Sequence, residues 1–166
     1  MCIRDSSIPS SVDEIGSCAF NYCTALSSIV IPDSVTEIEE GAFAECRALT
    51  TVVLPNSLTE ISDYLFSCCA SLSSILIPDS VTEIETGAFQ RCTALVSIVI
   101  PDSVTEIEDI AFSECSALRS VLLPASVTEI GVGAFDKCPN LTLTVFRNSY
   151  ADRYAQRNHI PYTYAD

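Results

Sequence analysis

Proline recurs at Pro9, Pro32, Pro55, Pro78, Pro101 and Pro124, with every gap 23 residues. Phenylalanine keeps the same interval at Phe20, Phe43, Phe66, Phe89, Phe112 and Phe135, and cysteine at Cys23, Cys46, Cys69, Cys92, Cys115 and Cys138. Ile15 and Leu26 each begin a further ladder, running to Ile130 and Leu141. A fixed period of this length is the mark of a repeat array, in which no single unit closes a core and stacking buries one continuous core. The spacing predicts six coils between residues 8 and 146, followed by a tail.

One coil, Pro32 to Leu54, shows the local logic. Leu49-Thr-Thr-Val-Val-Leu54 alternates Val52 and Leu54 inward with Thr51 and Val53 outward, the period of a short strand. Gly41-Ala-Phe-Ala-Glu-Cys46 spaces Ala42, Phe43 and Cys46 three and four apart, which predicts one helical or 3₁₀ turn. The proline then closes the strand, because it has no N–H for a further ladder bond.

The segment Leu26-x-x-Ile29-x-Ile31-x-x-Ser34 resembles the leucine-rich repeat pattern, with serine in the asparagine place. The fuller pattern I-P-x-S-V-T-x-I-x-x-x-A-F-x-x-C-x-x-L resembles the BspA-type leucine-rich repeat in one register through all six copies. The resemblance covers about residues 8 to 166. It implies an α/β, right-handed leucine-rich-repeat solenoid of six 23-residue coils, with a parallel β-sheet on one face and short helical turns. It also implies a surface or secreted protein of bacteria or protists with an adhesion or binding role. Departures are local: Leu58 replaces the usual valine, Leu65 the usual alanine, and Thr144 stands where Ile29 stands in the first coil. Leu141, Leu143 and Val145 are therefore expected inward in the last strand, with a shift of facing.

The ends differ from the middle. Residues 147 to 166 form an expected C-terminal cap. Ser149-Tyr-Ala-Asp152 is a capping-box-like helix start, and Ile160-Pro-Tyr-Thr-Tyr164 looks extended. Met1 to Ser7 does not fit the repeat and is set apart as a leader of non-native character, a cloning or gene-model remnant; because the repeats start at a unit boundary, the chain reads as a piece of a longer array. No signal peptide is visible there, because an apolar h-region is missing.

Charge narrows the partners. Acids outnumber bases 22 to 8 for a net charge of −14, the wrong sign for nucleic acid or for an anionic membrane surface. No apolar run reaches the roughly 20 residues that span a bilayer, so membrane insertion is not expected.

Catalytic chemistry finds little to work with. His159 is the single histidine, and no G-x-G-x-x-G, P-loop or H-E-x-x-H motif occurs, so neither an enzyme nor a cofactor is expected. The cysteine ladder is open to disulfide or metal roles, but C-x-x-C motifs are missing and small buried hydrophobes are the simpler reading. Cys2, Cys18 and Cys68 fall outside the ladder and are the expected reactive thiols. The acidic ladder Glu14, Glu37, Glu60, Glu83, Glu106 and Glu129 reads as a solvated edge without a calcium-loop motif, and no metal site is assigned. The serine ladder from Ser11 to Ser126 is expected to bond neighbouring backbone.

The strand face remains. Its outward residues are Ser28, Thr51, Ser74, Ser97 and Ser120, beside Val30, Val53, Leu76, Val99 and Leu122. This face is neutral and apolar with flanking hydroxyls. It fits cross-strand packing or a flat docking surface for a protein or glycan ligand. Two functions follow: a non-catalytic interaction or adhesion module binding through this face, or structural spacer repeats with no ligand of their own.

Overall fold

A computed structural model describes residues 5–165. Short strands recur once or twice per coil. In chain order they are β1 Asp5–Ser7, β2 Glu14–Ile15, β3 Ser28–Val30, β4 Glu37–Ile38, β5 Thr51–Val53, β6 Glu60–Ile61 and β7 Glu83–Ile84. Then come β8 Ser97–Val99, β9 Glu106–Ile107, β10 Ser120–Leu122, β11 Glu129–Ile130, β12 Thr142–Val145, the helix α1 Tyr150–Arg157, and β13 Tyr162–Tyr164. Every pairing is parallel, between strands of successive turns, and residues one coil apart face each other: Ser28 with Thr51, Ile29 with Val52, Val30 with Val53. The result is a parallel-strand β-solenoid of about seven turns. The first paired strand, β1, lies inside the segment that the repeat pattern set apart, and it pairs with β3 one coil on.

The core is a set of one-residue ladders. Successive phenylalanine rings from Phe20 to Phe135 stack nearly parallel, 5.1–5.8 Å apart. Ile38, Ile61, Ile84 and Ile107, and Leu49, Leu72, Leu95 and Leu118, are fully buried along the same axis.

The segment after each two-residue strand is not the helical turn expected from its spacing. In the second coil, Ala44 N–H bonds Gly41 O and Cys46 N–H bonds Phe43 O, as in successive tight turns. The intervening N–H groups of Gly41, Phe43 and Glu45 instead reach the carbonyls of Asp63, Leu65 and Ser67 in the next coil. Left-handed φ angles at Gly41 (60°) and Glu45 (61°) break any helix. Neighbouring coils compete for the same donors, and stacking wins because every turn in the array profits from it.

The sheet is not continuous either. It divides into β1-β3-β5 and β8-β10-β12-β13, and the smaller sheet into β2-β4 and β6-β7-β9-β11. Both breaks fall at the third coil, the one carrying Leu58 and Leu65. Both leucines are buried, and the two widest ring spacings, 5.8 and 5.6 Å, flank Phe66. The larger side chains hold this coil further from its neighbours. Ser62 adds to the break: its hydroxyl donates to the Ile38 carbonyl, whereas the equivalent carbonyls of Ile15, Ile61 and Ile84 accept the N–H of Glu39, Glu85 and Glu108.

The last coil resolves the Thr144 anomaly. Leu118-x-x-Val121 becomes Leu141-x-Leu143, one residue shorter, so Leu143 pairs with Val121 and Thr144 with Leu122. Leu141, Leu143 and Val145 point inward as expected. The shorter coil preserves the facing of the strand, which the sequence spacing alone had shifted.

The tail closes the stack. Ser149 caps α1 by accepting the Asp152 N–H at 3.0 Å, and Asp152 in turn accepts the Asn148 N–H. Ala151 and Ala155 are fully buried against the last coil. Tyr154 meets Phe135 edge-on at 6.3 Å and ends the ring stack. The tail strand β13 then adds to β12.

Candidate ligand-binding face

The strand face is built by alternation. Ile29, Val52, Ile75, Ile98 and Val121 turn inward, and their neighbours turn out. Val30, Val53, Leu76, Val99 and Leu122 are 60, 48, 79, 64 and 39% exposed, one per coil. Thr51, Ser74, Ser97 and Ser120 are exposed beside them, and Ser28 is half-buried. Ser74 and Leu76 keep this facing although residues 74 to 76 join neither sheet. Thr144 continues the apolar column with a hydroxyl, so the column runs across five coils and ends.

Two residues of this face escaped the sequence reading. Val96, 43% exposed, and exposed Arg119 precede their strands in the column of Ser27, Thr50 and Ser73. They lie outside the strict alternation, so period-two reasoning passed over them.

The cysteine ladder has a role beyond filling space. Cys46, Cys69, Cys92, Cys115 and Cys138 each donate Sγ–H to the carbonyl of the phenylalanine one coil back, at 3.1–3.3 Å. Burial pushes the Cys46 thiol up to about 11 and that of Cys115 to about 12, and raises Cys69 and Cys92 further. The protonated form that donates is thus the form the core enforces. Cys23 departs from the ladder's expected thiol state: it is disulfide-bonded, while Cys18, Cys68 and the other five ladder residues are free. Cys2 lies outside the described residues. Cys18 is exposed and Cys68 half-buried, so an alkylating reagent should label these two while the five free ladder thiols resist until unfolding. Mass mapping of a native reaction that finds Cys69 or Cys92 labelled as early as Cys18 would refute the packed-thiol assignment.

The serine ladder bonds as expected. Ser34, Ser57, Ser80 and Ser126 donate to the carbonyls of Val12, Val35, Leu58 and Val104 in the preceding coil, at 2.6–2.8 Å. Ser103 is the exception, its hydroxyl buried without a partner.

The acids form two columns. Glu14 to Glu129 sit on the two-residue strands, where Glu14 pairs in register with Glu37, and Glu60, Glu83, Glu106 and Glu129 pair in succession. A second set, Glu39, Glu85 and Glu108, accepts backbone N–H groups of Ser17, Asp63 and Thr86. Glu60, Glu83 and Glu85 bring carboxylate oxygens within 4.8 Å of one another, a grouping that could hold a cation. Partial burial, then the charge of Glu60, lifts Glu85 to about 7. The sequence ladder found Glu60 and Glu83 but not Glu85, which stands two residues off it.

A stacked, parallel-strand coil with one inward phenylalanine, cysteine and leucine per turn is the geometry that the repeat predicted. The model of the BspA-type leucine-rich repeat region matches residues 2–115 in six copies. The chain belongs to the BspA-type leucine-rich repeat family. Among solved structures, this BspA-type chain is similar to a leucine-rich cell surface protein of Faecalibacterium prausnitzii, at 41% identity and a TM-score of 0.70 over 72% of the chain. The match covers 31% of that protein, so the chain spans about a third of its length. A leucine-rich repeat protein of T. pallidum is 31% identical with a TM-score of 0.82, over 98% of this chain and 85% of that one. One from Bacteroides ovatus is 25% identical with a TM-score of 0.69, over 98% and 51%. No curated protein matches the chain. Leucine-rich repeats of this kind are generally non-catalytic scaffolds, and among the described residues no helix is long and apolar enough to cross a membrane.

Proposed function

We propose that this BspA-type solenoid is a non-catalytic interaction module of a cell-surface protein and that it binds a protein partner through the strand face. The observation that carries this reading is the exposed column Val30, Val53, Leu76, Val99 and Leu122. Docking there removes aliphatic surface from water without stripping solvent from a carboxylate, the favourable way to form an interface core. Flanking hydroxyls on Thr51, Ser74, Ser97 and Ser120 supply hydrogen bonds at the rim, and Arg119 adds one charge at the C-terminal side. The Faecalibacterium relative is a leucine-rich cell surface protein, which supports the location. The near-identity of the coils favours a second reading, spacer repeats that hold another domain away from the cell, because a specific site ordinarily breaks repeat symmetry.

Val53→Lys with Val99→Lys should abolish binding to intact target cells, by placing two cations in the middle of the apolar column. Glu37→Gln with Glu83→Gln should leave it unchanged. Flow cytometry with labelled protein reads both. Loss of binding in the glutamine pair alone moves the site to the acidic edge. Wild-type protein that binds no target cell supports the spacer.

A further inference from the structure

At one position in each coil, a left-handed residue gives its N–H to a carbonyl of the following coil. Cys18, Gly41, Tyr64, Gly87 and Ile110 bond Glu40, Asp63, Thr86, Asp109 and Val132 in this way. In the last coil the equivalent residue is Gly133, and among the described residues its N–H has no acceptor. Two residues on, the N–H of Phe135 likewise finds no coil carbonyl among the described residues, and the Tyr154 ring of the cap packs edge-on against the Phe135 ring. The cap thus replaces a coil in packing but gives no backbone carbonyl to these terminal donors.

Gly133 lines a cleft of about 230 Å³ between α1 and the last coil, together with Val132, Tyr150, Arg153 and Arg157. The two arginines are one helical turn apart, and neither has a carboxylate within 4.0 Å among the described residues. Arg153 is steadied by a bond to the Asn148 carbonyl at 2.9 Å and lies 5.9 Å from the Tyr150 ring. Such unneutralised cations stand out in a chain with 22 acids and 8 bases. In the cap, residues 147 to 166, Arg147, Arg153 and Arg157 stand against Asp152 and Asp166. The cap thus has a slight positive balance beside a strongly negative solenoid body.

We propose that this cleft binds a small carboxylate ligand of the size of a single acidic sugar. One amide and two guanidinium groups offer only donors, and a carboxylate is their complement. Asp136 lies at the rim, its Oδ2 3.2 Å from the point a Gly133 Cβ would occupy, and its charge favours a monoanion over a phosphate dianion. The cleft is larger than a bare carboxylate needs, and the Tyr150 ring gives a flat wall for the C–H face of a sugar.

The test is a titration of the ¹⁵N-labelled chain with glucuronate, glucose and acetate, followed through the Gly133 amide resonance. Glucuronate should move it and glucose should not. Arg157→Gln, which removes no contact within the protein, should weaken glucuronate binding about tenfold or more, as expected for losing a charge-assisted pair. Asp136→Asn should tighten it. Circular dichroism confirms that each variant is folded. A Gly133 amide that ignores glucuronate, or moves equally with glucose or in the Arg157 variant, overturns the proposal. Acetate binding as tightly as glucuronate overturns the sugar-sized part of it.

Discussion

Phe89→Ala should lower the stability of the solenoid by about 3–5 kcal/mol, the cost of an aromatic cavity in a packed core. Phe89 is fully buried between two rings, at 5.6 Å from Phe66 and 5.3 Å from Phe112, so both neighbours lose a stacking partner at once. Each coil is held only by the next, and the loss should therefore spread along the array. Hydrogen exchange should rise first in the turns around Phe66 and Phe112. The same substitution at Phe20, which is half-buried with a ring on one side only, should cost clearly less. Urea denaturation of the two variants measures this. Equal costs, or a Phe89 variant within about 1 kcal/mol of wild type, would contradict a continuous aromatic axis.

Gly87→Ala is expected to be strongly destabilising, because it adds both backbone strain and a steric overlap. Gly87 has φ of 63°, and an added Cβ would overlap Cε1 and Cδ1 of Tyr64 in the coil before it. The left-handed backbone alone costs alanine about 1–2 kcal/mol relative to glycine, and the overlap adds to that. The position alternates through the array as Cys18, Gly41, Tyr64, Gly87, Ile110 and Gly133, all left-handed. Each larger side chain lies over the glycine of the following coil, with Cys18 Sγ 3.5 Å from the Cβ point of Gly41 and Ile110 Cγ2 3.4 Å from that of Gly133. Combining Gly87→Ala with Tyr64→Gly should recover the overlap part of the loss and leave the backbone part. Thermal melts of the two single variants and the double complete the cycle. Strict additivity would show that Tyr64 does not cover Gly87.

The candidate face was legible for the same reason that the fold was. A period of two inside a period of 23 assigns each strand residue a side, and Val30 through Leu122 fall on the outside with no tertiary information. Arg119 and Val96 were not legible, because they precede the strands and their exposure depends on how the chain enters each coil. Glu85 was missed because it meets Glu60 and Glu83 only after the coils stack. The cleft under α1 could not be read at all. Its open donor exists only because no further coil follows Gly133 to supply a carbonyl.

The sequence by itself determined the period, the inward ladders, the outward columns and the helical cap, since each follows from local spacing or local capping repeated in register. Ser149 and Asp152 are enough to start α1 wherever it docks. The tertiary structure decided what local spacing leaves open. Ala42, Phe43 and Cys46 have helical spacing, yet their segment turns tightly, because carbonyls of the next coil take the N–H groups that a helix would need. The cysteines looked like inert filler until stacking placed a phenylalanine carbonyl at hydrogen-bonding distance from each free ladder thiol. The sheet breaks at the third coil because Leu58 and Leu65 are too large for a spacing set by their neighbours. In each case the deciding contact joins residues about one coil apart in sequence, and a reading along the chain carries no measure of the distance between coils.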